Sequence, residues 1–519
     1  MIRSFITVSS GTLASRLLGY LRDSMIAALL GAGPVADAFL VAFQLVNVVR
    51  RLLTEGALNA TLVPAWLRLR ASEGESAAAG FAGRALATIS AVLFIVSAVV
   101  GLSMPLVMTA LAPGFAGTGT LRLAVNDARL MLPYLAFAGP IGVMLALLSA
   151  RSRFAPTAFL PLLFNVTLIA VMIVLIVLEA KSAIVAPALA ATIGVAGLLQ
   201  LVVLLARRGE AVARPLRISF DADMRKFLAR AVPGLVGNSA PQLLIVGGAI
   251  IASASPSAVS WLYFANRLIE LPLGIVSAAM GTVLVSELSR ALSDGDRRAI
   301  AQTQSHALEL AAGLALPATL GLVMLSAPIV RLLFEHGAFS AQDGTATARA
   351  LIWLALGLPA HVLAKVLSPG FFAREDTLTP LWATLTGLVV AITAGFLFGR
   401  FFAASGIAAG IALGAWSQTL FLVGKSIATF GFAIERAARR RVGLITAAAA
   451  LMGAVLWPCR MLPALSPQAH GATLAAGLAL LIAAAIASYL LLLTLFGVTS
   501  LRATVNAVRQ SRRPRGLRT

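Results

Sequence analysis

The sequence predicts an all-α, polytopic membrane protein. Of its 519 residues, 59% are hydrophobic and 12% are charged, and the mean hydropathy is +0.94. Soluble domains are usually about 45–50% apolar and about 25% charged, so this chain has too much apolar surface for a water-facing globule. The apolar residues come in runs of roughly 18–25, and each run can cross the hydrocarbon core of a bilayer as one helix. These features exclude a soluble enzyme, a secreted disulfide scaffold and a disordered chain.

The apolar runs predict about 14 transmembrane helices. They cover residues 7–31, 36–62, 85–111, 127–150, 156–178, 184–206, 228–252, 260–286, 304–326, 346–368, 378–399, 405–430, 441–462 and 471–497. The longest charged gap follows the sixth run, so we expect two blocks of six helices and a final pair. The predicted parts are an N-terminal lobe (1–206), a basic linker (207–227), a C-terminal lobe (228–430), two extra helices (441–497) and a basic tail (498–519). Two such blocks suggest a transporter with its substrate path between the lobes.

The basic residues alternate between rich and poor gaps along the chain. The net charge is +21, from 41 Lys and Arg against 20 Asp and Glu, and most of the cations lie between the apolar runs. Cytoplasmic loops of membrane proteins carry an excess of Lys and Arg, which explains this charge without a nucleic-acid partner. The rich gaps include both ends of the chain, so both termini are predicted to face the cytoplasm.

The most informative residues are ionisable groups inside or beside the first, second and eighth predicted helices. They are Arg16, Arg22, Asp23, Asp37, Arg50, Arg51, Glu55, Arg267 and Glu270. Such a group at the middle of a spanning helix costs about 2.5–3.5 kcal/mol, so it normally faces a water-filled cavity or pairs with another charge. The spacing lets Arg51 pair with Glu55 and Arg267 pair with Glu270 on one helix face. Alternatively, Arg50 and Arg51 lie at the interface and extend to lipid headgroups.

An arginine-rich cavity suits an anion with many oxygens. Five arginines face four carboxylates in this set, so the surplus charge is positive. The guanidinium group presents a planar fork of donors that matches phosphate and is always charged. Glycines and prolines at 31–34 and 271–274 interrupt the helices beside these charges, and broken helices are tolerated where they line a cavity. The sequence therefore predicts a cavity that binds a phosphate or pyrophosphate headgroup.

Other chemistry has little support, and we predict no catalytic residue, metal or cofactor. The histidines show no metal-ligand spacing; they are His306, His336, His361 and His470. The single cysteine, Cys459, cannot form an internal disulfide or a zinc site on its own. A Walker A motif is missing, which argues against ATP hydrolysis by this chain. The acidic pair at 221–223 lies in the arginine-rich linker and is interpreted as charge balance, which argues against a membrane glycosyltransferase.

Several motifs resemble those of a known family. The strongest are SRLLGYLRDSMIAALLGAGPVADAFLVAF (15–43) and NVVRRLLTEGALNATLVP (47–64). Weaker ones are FANRLIELPLGIVSAAMGTVLVSELS (264–289), LLFEHGAFSAQD (332–343) and KVLSPGFFAREDTLTP (365–380). These segments resemble the MurJ (MviN) family, the lipid II flippases of bacterial cell-wall synthesis. The patterns SR-x-LG-x-x-RD, GAG-x-x-x-DAF and N-x-x-RR-x-x-x-EGA carry the resemblance, which covers most of the chain.

The resemblance implies a fold and a set of binding residues. It implies two six-helix lobes around a V-shaped central cavity, within the multidrug/oligosaccharidyl-lipid/polysaccharide exporter superfamily, and two C-terminal helices that form a groove for a lipid tail. It implies that the pyrophosphate is bound by Arg16, Arg22, Arg50 and Arg267. The supporting charges are then Asp23, Asp37, Arg51, Glu55 and Glu270.

The resemblance also implies a function, and three alternatives stay open beside it. The expected function is translocation of lipid II from the cytoplasmic to the periplasmic leaflet of the bacterial inner membrane, with lipid II and membrane lipids as partners. One alternative is an exporter of another polyprenyl-pyrophosphate oligosaccharide. A drug or cation antiporter is the second, although it should expose acidic residues in its cavity. The third is a scaffold that does not transport and recruits wall-synthesis enzymes through the basic tail.

Overall fold

The described chain is mainly helical. The computed structural model describes residues 2–54, 57–153, 155–206, 216–221, 224–225, 227–229, 240–293, 297–372, 374, 376–430, 435–459, 462–466, 469 and 471–498. No strand occurs among these residues, which confirms the all-α prediction. Apolar segments adopt helices because a chain in lipid must satisfy its backbone hydrogen bonds within the segment.

Eight helices form the first part of the chain. They are α1 (Ile2–Leu30), α2 (Pro34–Thr54), α3 (Ala57–Leu102), α4 (Met104–Leu111), α5 (Gly119–Met131), α6 (Pro133–Ala150), α7 (Ala155–Val177) and α8 (Ser182–Ala206). Proline opens α2 and α6, where its missing N–H is not needed. A short 3-10 turn at Pro113–Phe115 lies between α4 and α5.

Eight further helices with described bounds follow residue 239. They are α9 (Ala240–Ala252), α10 (Ala258–Ser293), α11 (Arg297–Met324), α12 (Ser326–Phe334), α13 (Ala341–Phe372), α14 (Leu378–Phe430), α15 (Arg436–Cys459) and α16 (Gly471–Leu495). The backbone of α14 breaks at Ala403, which has a φ of 46°. The two halves of α14 therefore correspond to two predicted spans, 378–399 and 405–430.

Each predicted span overlaps at least one helix of the described chain, although parts of some spans, such as residues 55–56 and 230–239, lie outside it, and the exact number of membrane crossings stays a prediction. Nine helices of the described chain are long and apolar enough to cross a bilayer. The gap between the second and third predicted spans, residues 63–84, is itself helical, because α3 begins at Ala57 and its backbone breaks only at Gly74, with φ 89°. Its first part is rich in Ala and Leu, which favour helices, but Arg68, Arg70 and Glu73 interrupt the apolar run and keep it from predicting a span.

The chain divides into two compact units. The first comprises residues 1–264, 333–344 and 395–407, and the second comprises 265–332, 345–394 and 408–519. Within the first unit α1 packs on α7, α2 on α5, α3 on α6, and α8 against α5, α6 and α7. The predicted division into two six-helix lobes, a linker and a final helix pair stays a prediction.

Two glycines allow a close backbone approach at one end of the first unit. Gly31 and Gly337 have φ values of 65° and 58°, a region that glycine adopts without strain. A Cβ at Gly31 would lie 2.5 Å from the carbonyl oxygen of Ala338, and a Cβ at Gly337 would clash with the carbonyl oxygen of Ala28. The Ala338 N–H donates to that Ala28 oxygen at 2.7 Å, so a distant segment is joined directly to the end of α1.

In the second unit the C-terminal helices pack against α11. Helix α15 lies along α11, and α16 packs on α15. The Tyr489 hydroxyl of α16 donates to the Gly313 carbonyl oxygen of α11 at 3.0 Å. Arg441 of α15 is 3.3 Å from Glu309 of α11. The core between these helices is apolar and includes Ile445, as well as other buried aliphatic side chains.

The two halves of α14 cross at glycines, which gives a test of the fold. A Cβ at Gly414 would lie 2.5 Å from the Gly387 carbonyl oxygen and 2.6 Å from the Ala391 Cβ. We expect Gly414→Ala to destabilise the protein by about 1–3 kcal/mol through overpacking, although alanine favours helices. Its melting temperature in detergent should fall below that of the wild type.

The matched control is Gly424→Ala on the same helix, where an added Cβ meets nothing within 4 Å. This variant should melt at or above the wild-type temperature, because alanine replaces glycine in an open helical position. Equal melting temperatures for the two variants would contradict the close crossing of the two halves of α14 at Gly414.

Candidate functional site

The predicted residues Arg22 and Asp23 form a buried ion pair on α1. Nε and Nη2 of Arg22 donate to Oδ1 of Asp23 at 2.9 and 2.6 Å, and Nη1 donates to Oδ1 of Asn165 at 3.0 Å. Arg22 is 7% exposed and Asp23 is fully buried. Neighbouring residues on a helix do not normally face each other, so the arginine side chain must turn back onto the carboxylate. A charged pair in such a place is stable only with further hydrogen bonds, which Asn165 supplies.

Aromatic side chains enclose this ion pair. The Arg22 guanidinium carbon lies 5.1 Å from the centre of the Phe43 ring and 5.9 Å from that of Phe164, both within the range of cation–π attraction. The Tyr263 hydroxyl donates to Oδ1 of Asp23 at 3.4 Å. The guanidinium is therefore fixed by groups from α1, α2, α7 and α10.

Asp37 joins the start of α2 to the start of α10. Its Oδ1 accepts hydrogen bonds from the Ser260 N–H at 2.9 Å and from the Ser260 hydroxyl at 2.5 Å, and the residue is 2% exposed. One residue further on, the Trp261 indole N–H donates to Asp343 at 3.0 Å. The predicted supporting charge Asp37 thus has a clear structural role within the first unit.

Arg267 and Glu270 form the ion pair that their spacing predicts. In the second unit, Nη1 of Arg267 is 2.7 Å from Oε2 of Glu270. Their side chains are 20% and 25% exposed, so the pair is partly accessible. The Arg267 side chain is therefore more accessible than that of Arg22.

The remaining predicted residues are less constrained by the structure. Arg16 is exposed on α1 and forms no ion pair with any described residue, and Arg50 is half-buried on α2. Glu55 and the side chain of Arg51 lie outside the described residues, so their pairing stays a prediction. The convergence of the four predicted binding arginines on one cavity also stays a prediction.

Two residues at the ion pair were not predicted from the sequence. Asn165 interrupts the apolar run of α7 with a buried amide, and this single amide side chain was a usable signal. Its Nδ2 also donates to the Ser15 carbonyl oxygen at 3.0 Å, which ties α7 to α1. Tyr263 had no such signal, because a single tyrosine near a helix end is common.

The comparison with protein families decides the identity of the chain. The family model described as "Lipid II flippase MurJ" matches residues 26–475. The chain belongs to the MurJ family. A probable lipid II flippase MurJ of Rhizobium meliloti is 36% identical over 504 residues, covering 94% of this chain and 92% of that relative. The lipid II flippase MurJ of Burkholderia cenocepacia is 33% identical over 431 residues, covering 81% of this chain and 83% of the relative.

Solved structures show the same fold. A lipid II flippase MurJ in an inward closed conformation matches with a TM-score of 0.77 at 22% identity, covering 95% of this chain and 98% of that structure. An inward-facing multidrug resistance MATE family transporter of the MOP superfamily matches with a TM-score of 0.66 at 16% identity, covering 83% of this chain and 96% of that transporter. The protein thus has the fold of the MurJ family and its wider superfamily, as the resemblance implied.

The ion pair on α1 gives a stability prediction. Asp23→Leu should leave the Arg22 guanidinium buried without its counter-charge, which costs about 3–5 kcal/mol and should lower the melting temperature in detergent. The double variant Arg22→Met/Asp23→Leu should melt close to the wild type, since replacing a whole buried pair by apolar groups is often neutral. If Asp23→Leu alone melts like the wild type, Asp23 does not stabilise Arg22.

Proposed function

We propose that this protein translocates lipid II from the cytoplasmic to the periplasmic leaflet of the bacterial inner membrane. The observation that carries the proposal is a guanidinium, Arg22, fixed among apolar helices in a chain that belongs to a family of lipid II flippases. The protein is a transporter, since flipping changes no covalent bond.

Arg22 is suited to hold the pyrophosphate of the substrate. A guanidinium has five N–H donors, and Asp23 and Asn165 take three of those of Arg22, which leaves two in a fixed plane. Arg16, Arg50 and Arg267 are proposed to supply further donors. Because Arg22 is only 7% exposed here, the substrate reaches it only after the enclosing aromatic side chains move. Binding is therefore coupled to a change of conformation.

Transport is proposed to follow alternating access. The arginines neutralise a doubly charged headgroup and so lower the cost of moving it through a region of low dielectric constant. The lipid tail stays in the bilayer along α15 and α16. A membrane potential can bias the cycle by about 2.3 kcal/mol per charge per 100 mV. Release of the headgroup on the periplasmic side completes the reaction.

The proposed topology places both termini in the cytoplasm. The basic tail, residues 498–519, is then in position to attract anionic lipids of the inner leaflet. Wall-synthesis enzymes are proposed as further partners on the same side of the membrane. Cys459, at the end of α15, lies on the periplasmic side in this topology.

Headgroup binding can be measured with arginine variants. Arg267→Ala and Arg22→Lys should each reduce the lipid II that co-purifies with the protein, scored by native mass spectrometry, by about 10-fold or more, since a charge-assisted hydrogen bond contributes about 1.5–3 kcal/mol. Neither variant should sustain wall synthesis in a depletion strain.

The control for charge is Arg122→Ala, which removes an exposed arginine of α5 and should leave lipid II binding unchanged. Normal binding and full complementation by Arg267→Ala and Arg22→Lys would contradict the role of the arginines. Recovery of a different polyprenyl-pyrophosphate oligosaccharide from the wild type would contradict lipid II as the substrate.

The single native cysteine allows the membrane topology to be measured by labelling, without introducing a new cysteine. Cys459 is the single cysteine of the chain and is half-buried. A membrane-impermeant maleimide should label it in intact spheroplasts, and Cys459→Ser should abolish the labelling. Labelling that requires permeabilised cells would reverse the proposed orientation.

A further inference from the structure

Asp127 is a buried carboxylic acid that the proposed function does not use. It lies on α5, inside the apolar segment Gly119–Ala150, which is long enough to span the membrane. The residue is 3% exposed. Its carboxylate forms no hydrogen bond or ion pair with any residue for which the structure is described.

The helix directs Asp127 to the protein interior. Ala124, Ala128 and Met131 share its face of α5 and are also buried. The arginines of the same helix, Arg122 and Arg129, are exposed, and Arg129 lies about 200° around the helix from Asp127. Neither arginine is therefore placed to neutralise the carboxylate.

The helices around α5 bring few charges. It packs against α2, α4, α6, α8 and the turn Pro113–Phe115. Helices α4 and α8 and the turn contain no titratable residue, and α6 contains only Tyr134. The titratable residues of α2 are Asp37, Arg50 and Arg51.

The charged residues of α2 lie at a different distance along the α2–α5 helix pair from that of Asp127. Helices α2 and α5 start at the same end of the unit, since Asp37 contacts Ser260 and the nearby Gly114 N–H donates to the Ser253 hydroxyl at 3.0 Å. Asp127 is eight residues into α5, about 12 Å from its start, whereas Arg50 is about 24 Å from the start of α2. Asp37 is three residues into α2 and its carboxylate is already bonded to Ser260.

A lone buried carboxylate can be neutralised by a proton or by a metal ion. Metal ions need several ligands, and the described residues contain no group of three or more His, Cys, Asp or Glu side chains that could hold one. A proton needs only the carboxylate itself. Removing an ionised acid from water is costly without a counter-charge, so protonation is the simpler way to accommodate this side chain.

We propose that Asp127 is a proton-binding site of the first unit. The carboxylate takes up one proton to become the neutral acid when the site is closed, and it releases that proton to water when a conformational change opens the site. This inference rests on the proposed function, because lipid II translocation is the process that would provide the conformational change. Translocation would then respond to a pH gradient across the membrane.

The proton site can be measured directly by infrared spectroscopy. In a pH titration of the purified wild-type protein, we expect the carbonyl stretch of a protonated carboxylic acid, and Asp127→Asn should lack it. Asp127→Asn should also fold and melt normally, because the amide is a neutral isostere. The control Glu179→Gln removes an exposed carboxylate and should keep the band. A band that is missing in the wild type, or unchanged in Asp127→Asn, would overturn the site.

Coupling can be measured in proteoliposomes that contain fluorescent lipid II, with the membrane potential clamped at zero by potassium and valinomycin. One coupled proton shifts the ratio of lipid II between leaflets by up to about tenfold per unit of pH gradient. We expect this shift in the wild type and in Glu179→Gln but not in Asp127→Asn, and replacing sodium by choline should not change it. A wild type that flips lipid II without regard to the pH gradient would overturn the coupling.

The proposed function can fail separately from the proton site. A wild type that never moves lipid II, under any gradient, would contradict the proposed function. The infrared band would still decide whether Asp127 binds a proton, because that measurement needs no substrate.

Discussion

The cost of a charge among apolar helices constrains the structure of the first unit. An ionised group in this environment must pair, so Arg22 turns back onto Asp23 and donates a further hydrogen bond to Asn165. The rings of Phe43 and Phe164 then enclose the pair, and Tyr263 reaches Asp23 from α10. Four helices are thereby aligned by a single pair of charges. The same alignment gives the guanidinium a fixed direction, which a binding group for pyrophosphate needs.

Local spacing predicted some of the charge pairs and not others. Arg267 and Glu270 are three residues apart on one helix, and this spacing was enough to predict their contact. Arg22 and Asp23 are adjacent, a spacing that normally separates side chains, and their pairing depends on a pocket built by distant helices. Asp37 bonds a serine 223 residues away, which no local pattern could reveal. Local spacing is therefore enough to predict a pair within one helix, whereas contacts between distant segments depend on tertiary packing.

Hydropathy predicted the helices because lipid constrains the backbone of an apolar segment. An apolar segment in lipid must satisfy its backbone hydrogen bonds within the segment, so each apolar run is sufficient evidence for a helix. The first part of α3 was missed because Arg68, Arg70 and Glu73 interrupt its apolar run, so the hydropathy pattern did not predict a span there. Asp127 was missed for another reason, since it stood at the first residue of a predicted span, 127–150, where a charged residue costs little. The structure shows that α5 begins eight residues earlier, which places this carboxylate well inside the helix.

The bonds at one end of the first unit are of the kind that a transport cycle can break. There, segments from distant parts of the chain are joined by Asp37 to Ser260, by Gly114 to Ser253 and by Ala338 to Ala28. Neutral hydrogen bonds contribute about 0.5–1.5 kcal/mol each and charged ones about 1.5–3 kcal/mol. Their sum is a few kcal/mol, comparable with the free energy that one charge gains by crossing a membrane potential of about 100 to 200 mV. These polar contacts lie beside a buried aromatic cluster of Phe264, Phe334 and Phe339, so opening this end of the proposed flippase has to separate those rings as well as break the hydrogen bonds.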